Sequence, residues 1–240
     1  MYPGLADLLE PMGRTGQLTR VAATVSPLVE ASEITRRVVR SGGPALLFGR
    51  VEGHRFPAVT GLFATPARIV QAWGVPSLAI ARQQVAGLIE TGEPEGWADR
   101  LAGGSASASL RRFAPKRTKT GPCQQVVLLG RDVDLAALPA LQSWPDESGR
   151  TITAARLFVL GAGGQVELGR YDLGVLDHNR LVACWQAHDR PARHLGASRR
   201  VGVPLQLALV LGGEALGLLA AMAPLPEGVD PSAIAGFFRQ

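Results

Sequence analysis

The sequence predicts an α+β protein: a small α/β domain over residues 1–110, a linker over 111–122, and a mainly antiparallel β domain over 123–240. Three observations carry this. Charge-ordered helical stretches alternate with short apolar runs in the first part. A stretch rich in glycine, serine and alanine, followed by a basic run, then interrupts the pattern between Leu101 and Thr120. Beyond it come short strand-like runs punctuated by glycine and Asp/Asn turns. With 240 residues, 46% apolar and 19% charged, the chain has enough material for a real core.

The first helix expected runs from Val29 to Val39, with Val29, Ile34 and Val38 on one face. Glu30 and Glu33 stand early and Arg36, Arg37 and Arg40 late, the order the helix dipole favours. Gly42-Gly43 supplies the stop. Pro44 to Phe48 reads as a buried strand and Arg50 to Arg55 as a turn around Gly53. Thr65-Pro66 is a hydroxyl cap followed by a first-turn proline, so Ala67 to Trp73 is helical, and Ser77 to Ile89 repeats the pattern. In the second part the runs Gln124–Leu129, Ile152-Thr153, Ala155–Leu160, Val175-Leu176, Leu181–Trp185 and Leu205–Leu211 read as strands. Arg190 to Val201 reads as a helix between strands, and Gly161-Ala-Gly-Gly164 as a hairpin turn, since no helix pattern follows it.

Bulk properties narrow the function. The net charge is +5, but the basic residues are scattered, and the dense run Arg111 to Lys119 falls in the linker without aromatic interleaving, so no nucleic-acid partner is expected. The apolar run Leu205 to Met222 is broken by Gly212, Gly213, Glu214 and Gly217, which favours buried strands over a membrane span. No signal-type segment opens the chain, and Cys123 and Cys184 are expected to be buried free thiols in a reducing compartment, so the expected location is cytoplasmic.

Several blocks occur in an order that resembles one family. They are Ile34–Phe48, Phe56-Pro57 with Gly61–Thr65, and Cys123–Leu128 with Asp132–Leu135. Trp144–Asp146 with Gly149 and Ile152-Thr153 follow, then Glu167–Asp172, Val175–Leu181, Trp185–His188 and Pro224–Val229 with Ala235-Gly236. The chain is similar to the UbiD family, decarboxylases of aromatic and α,β-unsaturated acids that use prenylated FMN. The resemblance implies that the second domain is a split β-barrel of the flavin-reductase type. It also implies a further C-terminal UbiD domain, which this sequence, ending at Gln240, is expected to lack.

The resemblance also assigns site residues. Glu167-Leu-Gly-Arg-Tyr-Asp172 stands where the family carries its catalytic arginine, and Asp172 takes that position. An anionic side chain there repels a substrate carboxylate that a guanidinium would clamp. Arg170 is the candidate substitute, by a shift of register near 167–172. The family's metal-ligating Asn, His and Glu become Glu167, His188 and Pro231, so only Glu167 and His188 remain as candidate metal ligands, because proline offers no donor. Ala221 and Met222 fall where a serine pair contacts the cofactor phosphate. Thr153, Glu167, Arg170, His188, Ala221 and Met222 are thus the candidate cofactor-binding residues. Prenylated FMN is the cofactor by family, with weak or absent binding expected here, and a divalent metal is doubtful.

The plainer readings stand beside these. A lone histidine near a strand end, as His188 is, is more often a hydrogen-bonded structural residue than a ligand, His178 and His194 read as exposed, and His54 sits in a turn. Asp132, Asp134, Asp146 and Glu147 read as turn caps. Glu167 and Asp172, five apart on a strand, point to opposite faces. The expectation is therefore a non-catalytic, UbiD-like accessory subunit, inactive alone and paired with a larger catalytic chain in a hetero-oligomer. The alternatives are an active decarboxylase completed by a partner chain and a flavin-binding module without turnover.

Overall fold

The computed structural model describes residues 2–90, 113, 115–116, 118–161, 166–223 and 230–239, the side chains of 88–90 excepted. Residues 111, 112, 114 and 117 of the linker, the loop 162–165 and the Pro224–Val229 motif lie outside them.

The chain opens with α1 (Leu5–Arg14), which buries Leu8, Leu9 and Met12 along one side and carries Pro11 inside it. The sequence reading missed this helix, because a proline within ten residues reads as a breaker. β1 (Leu18–Val25), α2 (Glu30–Arg40) and β2 (Ala45–Val51) follow, and β1 pairs with β2 in parallel. Parallel strands need a crossover, which α2 supplies. The short β3 (Ala58–Thr60) adds antiparallel to β2. α3 (Pro66–Trp73) starts as read: the Thr65 hydroxyl accepts from the Arg68 N–H at 3.4 Å, and α4 (Leu78–Glu90) has the Ser77 hydroxyl at its start.

Alternation along β2 divides the core. Leu46 and Phe48 pack with Val25, Ala31 and Ala58 under α2. Ala45 and Leu47 pack on the other side with α1 and α3.

The second sheet has the order β6-β5-β4-β7, built from β4 (Thr151–Leu160), β5 (Val166–Val175), β6 (Leu181–Ala183) and β7 (Gln206–Val210), all antiparallel. β4 joins two runs that the sequence separates. A bulge between Ile152 and Ala155 absorbs the break, with Ala154 at φ 59°. α5 (Arg190–Arg200) intervenes before β7, close to its expected span. The architecture is mixed α+β.

Three expectations are corrected. Gln124–Leu129 is not a strand. Pro122–Gln124 forms a 3-10 turn, and Val126 to Leu129 are exposed by 58–77% with no ladder partner among the described residues. A β-prone run is a strand only if another strand pairs with it. The Leu205–Met222 run is one strand, a Gly212-Gly213 turn with both residues at positive φ, and a helix, α6 (Ala215–Met222). Its Ala, Leu and Met residues are strong helix formers. Cys123 and Cys184 are free, as expected, but exposed, since neither neighbouring segment is covered.

α6 ties the halves together. Ala215 and Leu219 complete the α1/α3 core, while Leu216 and Ala220 pack with α7 (Pro231–Phe237) and Trp73. No helix among the described residues is long and apolar enough to cross a membrane.

The acid limb of stability follows from three groups, one of them Asp177, whose pKa is lowered by hydrogen bonds from the Asn179 backbone N–H and then from Arg180. Hydrogen bonds from Arg36, and then from Arg37, lower the Glu33 pKa to about 2 from its ordinary 4.5. The folded state therefore binds fewer protons than the unfolded one, so this stabilisation is complete above pH 4.5 and is lost toward pH 2. Burial, and then Arg150, lowers the His54 pKa from its ordinary 6.5. Arg150 Nη1 lies 2.9 Å from His54 Nε2, a contact that needs the neutral ring. That contribution is present above pH 6.5 and fades as pH falls through the lowered value. Thermal unfolding midpoints should fall in two stages on acidification, and Glu33→Gln should shrink only the lower one, which Asp177 shares. A Glu33→Gln profile identical to wild type below pH 4.5 would refute the assignment.

Candidate functional site

β5 carries the predicted site and divides it between two faces. Its ladder with β4 runs without a bulge on the β5 side, so Glu167, Gly169, Tyr171 and Leu173 share one face. Leu168, Arg170 and Asp172 share the other.

On the first face, Glu167 Oε1 lies 3.3 Å from His194 Nε2, and Glu167 Oε2 lies 4.0 Å from Arg190 Nε. Both partners come from α5. His194, read as exposed, has only 20% of its side chain accessible, because α5 turns that face onto the sheet. The Tyr171 ring folds back over Gly169, where an added Cβ would stand 2.6 Å from the ring, and meets Trp185 edge to face at 6.3 Å. Burial, followed by Asp189 and Glu167, pushes the Tyr171 hydroxyl pKa up, with Arg190 opposing. Glu167 Oε2 and Trp185 Nε1 are buried without a hydrogen-bond partner.

On the second face, Arg170 Nη2 lies 2.5 Å from Asp172 Oδ1. The two are neighbours because residues two apart on a strand project from the same side. The β4 bulge places Thr153 and Ala154 opposite Asp172, with Thr153 exposed. Arg156 stands directly opposite Arg170 and next to Val210 of β7. Sequence reading passed over Arg156, although an arginine inside the apolar run Ala155–Leu160 was a visible signal.

The remaining candidates lie elsewhere. His188 is exposed in the turn before α5. Ala221 and Met222 end α6, with Met222 52% exposed. Pro231 is the first residue of α7, where Asp230 Oδ1 accepts from the Ser232 N–H at 2.7 Å. Its role there is a helix start, for which proline is preorganised.

The residues do not fit a phosphate-bridging metal. Among the described residues no group of three His, Cys, Asp or Glu side chains could hold an ion. Glu167, one of the two candidate ligands, already faces a histidine and an arginine.

Two helix-flanked sheets, one parallel-led and one antiparallel, joined through α6, define the class. Residues 115–240 match the 3-octaprenyl-4-hydroxybenzoate carboxy-lyase Rift-related domain, and residues 9–88 match the corresponding N-terminal domain. The chain belongs to the UbiD family. It is 32% identical over 242 residues to an uncharacterized protein of Aquifex aeolicus, covering 100% of this chain and 50% of that one. Its fold is similar to that of an evolved dimeric form of the UbiD-class enzyme HmfF from Pelotomaculum thermopropionicum in complex with prFMN, with a TM-score of 0.77, 24% identity, and coverage of 98% and 50%. It is also similar to the vanillic acid decarboxylase of Sedimentibacter hydroxybenzoicus in closed form, with a TM-score of 0.79, 20% identity, and coverage of 100% and 49%. The chain thus spans about half the length of the proteins it matches.

Proposed function

We propose that this chain is a non-catalytic subunit of a prenylated-FMN-dependent decarboxylase or carboxylase assembly acting on aromatic or α,β-unsaturated carboxylic acids, with a longer UbiD-type chain as its partner. In this reading the antiparallel sheet is part of a split barrel of the flavin-reductase type, and the assembly is cytoplasmic. The carrying observation is the Arg170–Asp172 pair: the position that the family resemblance gives to a substrate-clamping guanidinium holds a carboxylate, and the nearest guanidinium on that strand is bound to it at 2.5 Å. A closed pair has no net charge to offer an incoming acid. The exposed Val126–Leu129 run supports a partner, because apolar surface of this kind is normally covered.

The experiment is reconstitution with prenylated FMN and a panel of aromatic and unsaturated acids, with and without co-expressed full-length UbiD chains. The expected result is no carbon dioxide release by this chain alone, and co-elution with the longer chain on size exclusion. Turnover by the purified chain alone overturns the reading. Turnover that needs both chains but vanishes in Asp172→Asn favours the alternative, an active site completed in trans. FMN titration with a rise in melting temperature but no turnover favours the flavin-binding module.

A further inference from the structure

We propose that the free edge of β7 receives an extended segment of a partner protein, apolar along its centre and acidic at its C-terminal end, which adds antiparallel as a fifth strand to the second sheet. The inference does not depend on the reading of Asp172.

β7 is an edge without the usual protections. The order β6-β5-β4-β7 leaves one side of β7 unpaired among the described residues. Natural edges are kept from pairing by shortness, charge, proline or a bulge. β6, at the other edge, is only three residues long. β7 reads Gln-Leu-Ala-Leu-Val, carries no charge or proline, and pairs with β4 over five consecutive residues without a register shift. Its outer row of backbone N–H and C=O groups is therefore continuous and unblocked.

The core layer also stops short at this edge. Leu207 stands opposite Val159, and Val159 opposite Glu167, so all three share the face on which α5 lies. Val159 is 1% exposed, but Leu207, one strand further out, is 47% exposed. A groove of about 410 Å³ lies between the end of β4, the last turn of α5 and the start of β7, with Leu160, Ser198, Val203 and Gln206 in its lining. Val201 and Val203 expose apolar surface beside it. An added strand would cover Leu207 and seat alternate side chains in the groove. Sheet edges recognise peptides in this way, with the backbone giving affinity and the pockets specificity.

Charge selects the occupant. β4, α5 and β7 contain no Asp or Glu. α5 ends in Arg199 and Arg200, both exposed and without an ion-pair partner among the described residues. A helix C-terminus offers about half a unit of negative charge, so it balances only part of two guanidinium groups. The surplus sits next to Ser198, at the end of α5 that borders the groove. Acidic side chains are therefore favoured where the segment meets the start of β7, and basic ones are repelled there. In an antiparallel addition that end of the segment is its C-terminal one.

The test uses the full chain and two fluorescein-labelled, amidated peptides: a run of valine, isoleucine and threonine ending in Asp-Glu, and the same run ending in Lys-Lys. Anisotropy should rise saturably with the acidic peptide, and the basic one should bind about tenfold more weakly. Two isomers of the acidic peptide, N-methylated on alternate residues in the two possible phases, separate strand addition from simple adhesion. One should lose binding and the other keep it, because only one phase of N–H groups faces β7. Arg199→Glu combined with Arg200→Glu should reverse the preference between the two peptide ends. Leu207→Lys, which puts a charge on the edge, should abolish binding. No saturable rise in wild type, equal binding of the two N-methylated isomers, or an unchanged preference in the arginine variant overturns the proposal. Should either variant not fold, the paired isomers on wild type decide alone. A dimer of this chain that Leu207→Lys dissolves, with no peptide bound by wild type, overturns it in favour of a second copy on the edge.

Discussion

Arg68→Met should raise the free energy of unfolding by about 1–3 kcal/mol, while Arg68→Ala should lower it by about 2–3 kcal/mol. Arg68 is the largest fully buried side chain among the described residues, 1% exposed on α3. Its Nη1 donates to the Gly43 carbonyl at 3.0 Å, and its Nε and Nη2 are buried without acceptors. Desolvation lowers its pKa with no carboxylate to oppose it. Methionine fills most of the same space without a charge to desolvate. Alanine leaves a cavity that close-packed neighbours only partly collapse. Urea unfolding of the three proteins separates the terms, and a methionine variant less stable than wild type would mean that the guanidinium is better satisfied than its contacts indicate.

The second large effect is expected at Gly236, near the end of α7. An added Cβ there would collide with the Phe113 backbone carbonyl and stand 3.3 Å from its Cβ. Backbone cannot step aside as a side-chain tip can. Gly236→Ala should therefore cost about 1–3 kcal/mol by overpacking, despite the better helix propensity of alanine. The Phe113–Phe237 edge-to-face contact, at 5.4 Å, should loosen with it. Chemical denaturation measures the first effect and near-ultraviolet circular dichroism the second. An alanine variant as stable as wild type, with unchanged aromatic signal, would show that Phe113 is not held there.

What sequence could deliver was local. The charge order of α2 and the Thr65-Pro66 start of α3 announce themselves within one turn. The opposite facing of Glu167 and Asp172 follows from spacing alone. Where an outcome depended on distant residues, the reading failed. Val126–Leu129 has strand propensity but no partner. Pro11 disguised α1, which is held by burial of Leu8 and Met12 rather than by propensity. Asp230-Pro231, by contrast, is a local helix start, a capping carboxylate followed by a first-turn proline. The candidate site shows the same division. Arg170 and Asp172 meet because they are two residues apart. His194 reaches Glu167 only after α5 folds back across the sheet, and Arg156 meets Arg170 only through the β4–β5 register.

α6 occupies a berth in the opening half of the polypeptide, so neither half should be expected to stand alone. Expressed without residues 215–222, the first ninety residues would present an apolar trough where Ala215 and Leu219 had been seated. Calorimetry of the intact chain should then record a single melting event, and separately produced fragments should recover native signal only when mixed.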